Sequence, residues 1–76
     1  MTGRVPALKP REVLAALQRA CFFIHHTTGS HYVLKHPGSP LLRLTLPWHN
    51  RDLKRGTLHS ILRQAGLAPD EFLKFL

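Results

Sequence analysis

Apolar positions change their spacing along the chain, and each change marks an element. Val13, Leu14, Leu17 and Cys21 recur at helical spacing behind Pro10, which suits a first helical position, and Glu12 lies in the first turn where the helix dipole favours an acid. This predicts an amphipathic helix from Pro10 to Ala20 with Arg11, Gln18 and Arg19 on its polar face. Phe22 to Thr27 then supplies aromatic and β-branched residues suited to a strand, Gly29-Ser30 suits a hairpin turn, and His31 to His36 (HYVLKH) suits a second strand. Pro37-Gly38-Ser39-Pro40 reads as a second turn. In Leu41 to Leu46, Leu42, Leu44 and Leu46 alternate with Arg43 and Thr45, the pattern of a half-buried third strand.

Pro47 closes that strand, and Trp48 to Arg55 (WHNRDLKR) is a polar, basic connection into a second helix whose buried stripe is Leu58, Ile61, Leu62 and Ala65. Gly66 stands where a left-handed residue ends a helix, and Leu67 follows where it can pack back on Leu62. Pro69, Asp70 and Glu71 restart a short helix whose Phe72, Leu73 and Leu76 can cover the core. Met1 to Leu8 show no period and carry Gly3 and Pro6, so they are expected to form a loosely held tail. The order α-β-β-β-α(-α) implies an α+β, two-layer fold: a three-stranded antiparallel sheet with its helices on one face.

Length narrows what such a fold can do. Seventy-six residues make one domain, 1–76, able to bury only about 60% of the surface of its unfolded chain. A deep pocket for a large cofactor does not fit, so no cofactor is expected, and any site should lie on the surface and act on something large. Eleven Lys and Arg against four acids give a formal net charge of +7, which makes a polyanion the natural partner. Cys21, the sole cysteine, rules out an internal disulfide framework and reads as a small buried hydrophobe. No apolar run approaches a membrane span and no signal-peptide core opens the chain, so a cytoplasmic protein without membrane contact is expected.

RNA is a target that such a protein could cleave without a metal, because the ribose 2′-OH is an internal nucleophile beside the phosphate. Cleavage then needs an acid or base with a near-neutral pKa and cationic donors for the phosphate, roles that histidine and Arg or Lys fill. His31, directly after the Gly-Ser turn, has Lys35, Arg43 and the basic segment 51–55 in the same small domain. His36 and His49 sit beside prolines in turns, where packing or hydrogen bonding is the plainer role, although His49 could return to the end of the sheet that holds the Gly-Ser turn. His25 and His26 are neighbours on a regular strand and should point to opposite faces, which argues against both holding one ion. A zinc site built from one of them with His31 and His36 lacks local ligand spacing, and no metal is expected. Trp48 could stack on a base but reads more simply as a cover for the core rim.

The motifs carry a family resemblance. GSH at Gly29 to His31, HPG at His36 to Gly38, PxH at Pro47 to His49, LKRGTLHSILRQAGL at Leu53 to Leu67 and EFL at Glu71 to Leu73 together resemble the HicA family, from about Pro10 to Leu76. The tripeptide is common; the long run in its place after PxH makes the match specific. The resemblance implies a small bacterial toxin of a toxin–antitoxin pair, with a fold like double-stranded-RNA-binding domains. It implies a metal-independent endoribonuclease (mRNA interferase) acting on mRNA and held inactive by a HicB antitoxin. It also places the catalytic histidine at His31; Gly29, Ser30, Lys35, Arg43, His49, Lys54 and Arg55, read from their charge and position in the chain, are the candidate RNA or phosphate contacts. Two positions depart from many relatives: Thr28 stands where they have Lys or Arg, and Ala68 where they have Ser or Thr. A non-catalytic double-stranded-RNA-binding module and an antitoxin-binding protein whose enzyme has decayed are the other readings.

Overall fold

The structure, a computed structural model, describes residues 5–76. Its elements are α1 (Pro10–Arg19), β1 (Phe23–Thr28), β2 (His31–His36), β3 (Ser39–Pro47), α2 (Arg55–Gln64) and α3 (Pro69–Leu73). The strands form one antiparallel sheet in the order β1-β2-β3. Leu34, Leu44 and Leu46 of the sheet share a core with Val13 and Leu17 of α1, Leu58, Ile61 and Leu62 of α2, and Phe72 of α3. Alternation therefore gives the sheet one helix-covered face and one open face, the α+β two-layer arrangement that the sequence predicts.

The helix ends follow local chemistry. Glu12 accepts the Lys9 backbone N–H through Oε1 at 2.8 Å, and Glu71 does the same for Ala68 at 2.9 Å, each the acidic half of a capping box. At the end of α2, Gly66 has φ +70°, Leu67 N–H donates to the Leu62 carbonyl, and Gly66 N–H donates to that of Arg63. These bonds are the Schellman stop that the sequence predicts.

Several expectations are corrected. Residues 1–4 of the expected tail lie outside the described residues, but Val5 and Leu8 are buried in the core, and Leu53 N–H donates to the Leu8 carbonyl at 2.8 Å. The segment 5–8 is thus held by apolar burial that lacks any helical or strand period. Cys21 is exposed, because α1 ends in a second Schellman stop with Cys21 itself in the left-handed position, φ +75°, turned away from the buried stripe. The first strand is one residue later than predicted, since the bonds of that stop hold Phe22.

The third strand starts at Ser39 rather than Leu41 and carries an excursion. His36 pairs with Ser39 but Lys35 pairs with Arg43, so Pro40, Leu41 and Leu42 loop out. Leu41 is left 97% exposed, while Leu42 turns inward against the core. At the chain end Phe75, not Leu76, packs on the core. There, Phe75 N–H bonds to the Phe72 carbonyl and Leu76 N–H to that of Leu73, and such i to i−3 bonds tighten the turn and align residues three apart.

Candidate functional site

The turn between β1 and β2 is as short as a hairpin allows: Thr28 pairs with His31 across Gly29-Ser30. Gly29 has φ +51° and Ser30 does not share the positive sign, the pattern of a type II′ connection that matches strand twist. The Ser30 carbonyl accepts the Trp48 backbone N–H at 2.6 Å, and His31 pairs with Pro47, so the GSH and PxH segments meet at one end of the sheet. Beneath them Tyr32 and Trp48 stack, ring centroids 4.3 Å apart and 19° from parallel. Both rings pack on the core rim, which commits Trp48 to structure.

Alternation puts His31, Val33 and Lys35 on the open face of β2, opposite Pro47, Thr45 and Arg43 of β3. Lys35 and Arg43 thus face each other directly, and like charges so placed cost stability. None of the four acids of the chain (Glu12, Asp52, Asp70 and Glu71) lies on a strand to offset them. An uncompensated basic face of this kind attracts a polyanion. The His31 imidazole is exposed and makes no hydrogen bond or ring contact with any described residue.

The remaining candidates divide. His36 accepts the Gly38 N–H on Nδ1 at 3.0 Å and sets its ring edge-on to Phe22, while His49 accepts the Arg51 N–H on Nδ1 at 3.1 Å. Both imidazoles are tied into local turns. His49 also lines a surface depression with Pro47, Arg51, Lys54 and Thr57, adjoining the end of the sheet where His31 lies. Lys54 precedes and Arg55 opens α2, which has no acid in its first turn, but they separate: Arg55 borders a different hollow, with Val5, Pro6 and Leu58.

Sequence reasoning missed one constellation. Ile24 pairs with Leu34 and His26 with Val33, so His25 is an extra, bulged residue. The expectation that His25 and His26 point to opposite faces is therefore wrong: their Nδ1 atoms lie 2.8 Å apart, with the rings 77° from parallel. The positive charge of Lys35 is the main cause that holds the His25 pKa below its ordinary value, with His26 and Arg43 adding to it, so the neutral form is favoured. The bulge leaves no mark in composition, and two adjacent polar residues in a short strand are its one visible trace. Among the described residues, no group of three or more His, Cys, Asp or Glu could hold a metal ion, and no helix is long and apolar enough to cross a membrane.

Residues 10–67 match the family model described as HicA toxin of bacterial toxin-antitoxin. That span takes in every element but α3. A search of curated proteins found no match.

Proposed function

The chain belongs to the HicA family of toxins of bacterial toxin–antitoxin systems, and on that premise we propose that it is a metal-independent endoribonuclease that cleaves mRNA in the cytoplasm. His31 is its general acid or base, and a HicB-like antitoxin holds it inactive. The observation that carries this reading is the company His31 keeps: an exposed, unbonded imidazole on the same open face as the opposed Lys35 and Arg43.

The chemistry needs no more than that face provides. The 2′-OH loses its proton as O2′ bonds to phosphorus, the P–O5′ bond breaks, and O5′ takes up a proton. The products are a 2′,3′-cyclic phosphate and a 5′-hydroxyl. An imidazole can serve at either proton transfer, and Lys35 and Arg43 stabilise the charge that builds on the phosphate. Gly29 and Ser30 keep the approach to His31 low, while His49 and Lys54 extend the contact along the strand of RNA. Thr28 offers no charge, so Lys35 and Arg43 supply the phosphate contact that a basic residue there would make.

Purified protein incubated with end-labelled RNA in EDTA tests the reading. Shortened RNA from the wild type and intact RNA from His31→Ala, with unchanged folding and antitoxin binding, is the expected result. RNA that is retarded but never shortened would instead identify a binding module, and undiminished cleavage by His31→Ala would remove His31 from its role.

A further inference from the structure

One imidazole cannot both take a proton from O2′ and give one to O5′ in the same step, so a site built on His31 is half of an acid–base pair. The bulge in β1 brings up a second imidazole. In register, Thr28 faces His31 and His26 faces Val33, the next residue but one along β2. His26 is therefore the diagonal neighbour of His31 on the open face, a placement in which residues stand about 7–8 Å apart, within reach of long side chains. A phosphate with a hydrogen bond of roughly 2.7–3.2 Å to a ring nitrogen on either side fits such a gap. Val33, the direct partner of His26 on that face, is only 5% exposed although it lies outside the helix-packed core cluster.

The bulge also fixes how His26 is presented. A 2.8 Å approach of two Nδ1 atoms is a hydrogen bond only if one nitrogen carries a proton and the other a lone pair. Of the two placements of that proton, the one with His25 accepting has His26 donating from Nδ1–H and leaves its Nε2 unbonded. This is the arrangement of a base oriented by a further group. Bulges recur beside active sites because they re-aim a side chain in this way.

We propose that His26 is the second proton-transfer group of the site, working with His31 across one phosphate, and that His25 is the positioning residue that sets its tautomer. The inference rests on the reading of His31 as a catalytic residue. In the step, one imidazole takes the 2′-OH proton as the O2′–P bond forms, and the other gives its proton to O5′ as the P–O5′ bond breaks. Solvent then restores both protonation states, and no other reactant is consumed. The titratable and charged groups around His26 are His25 on its own strand, His31 and Lys35 on β2, and Arg43 on β3.

The test is the pH dependence of kcat/KM for a short labelled RNA. The wild type should give a bell-shaped profile, and His26→Gln should lower kcat by roughly 10²-fold or more, keep the melting temperature, and lose one limb of the bell. His25→Leu should lower kcat and displace the same limb, while His25→Asn, whose amide oxygen can accept the bond from His26, should restore both. A bell that keeps both limbs in His26→Gln would overturn the proposal, as would equal profiles for His25→Leu and His25→Asn. Full cleavage by His31→Ala would instead remove the premise, a distinct result because it is read in a protein with His25 and His26 intact.

Discussion

Strand β2 begins and ends with a histidine beside a glycine turn, yet the two ends serve different purposes. At His36 the turn follows, and Gly38 folds back so that its N–H bonds to the imidazole, whose ring is also set against Phe22 at 5.0 Å. At His31 the turn precedes, and its free carbonyl, on Ser30, is taken up by Trp48 rather than by the imidazole. One ring is consumed by the fold and the other is left to solvent. The difference teaches that a histidine in a turn motif is informative only once its nitrogens have been accounted for.

Exchanging the effects of the two residues is the strongest way to break this comparison. His31→Ala should lower RNA cleavage by roughly 10²–10⁴-fold with an unchanged thermal midpoint. His36→Ala should cost roughly 1–2 kcal/mol of stability by removing a hydrogen bond and a ring–ring interaction, while the folded variant still cleaves. Melts and cleavage assays on the two proteins decide it; a stable but inactive His36→Ala would show that the bonded ring takes part after all.

A second contrast explains what the sequence discloses and what it hides. Helices α1 and α2 end in the same Schellman stop, but α2 uses Gly66 and α1 uses Cys21. The glycine announces its left-handed position, so the end of α2, its stripe and Leu67 are all legible. A cysteine carries no such signal, so its helical spacing places Cys21 in the apolar stripe and suggests a burial that the structure does not show. The same logic covers the site. Arg43 is placed by strand alternation and His31 is singled out by the GSH motif, whereas the bulge at His25 breaks the alternation of β1 without any glycine or proline to mark it. Val5 and Leu8 escape notice because lone apolar residues in an irregular segment have no period to betray them.

The paired helix ends can be tested by swapping their chemistry. Gly66→Ala places a Cβ 3.3 Å from Leu42 Cδ2 in a backbone with φ +70°, and the left-handed strain alone should cost about 1–2 kcal/mol. Cys21→Gly relieves the same strain at φ +75°, and after the added freedom of the unfolded chain should stabilise by about 1 kcal/mol or less. Denaturant titrations read both shifts. Equal and small effects at the two positions would mean that packing, not backbone conformation, fixes the helix ends.

The smallest effect on stability separates the two faces of the sheet. Lys35 and Arg43 face each other with no acid on any strand, so removing one charge relieves repulsion instead of breaking an attraction. Lys35→Ala should therefore leave the fold unchanged or more stable by about 0.2–1 kcal/mol. It should weaken RNA binding, and the slope of log K against log salt should fall by about 0.7 for each single-strand phosphate that the variant no longer neutralises. A fold that keeps opposed cations at a cost in stability is explained if a phosphate fills the space between them in the bound state. Binding by Lys35→Ala with the wild-type salt slope would show that the polyanion runs elsewhere, and the depression lined by His49 and Lys54 would then be the surface to follow.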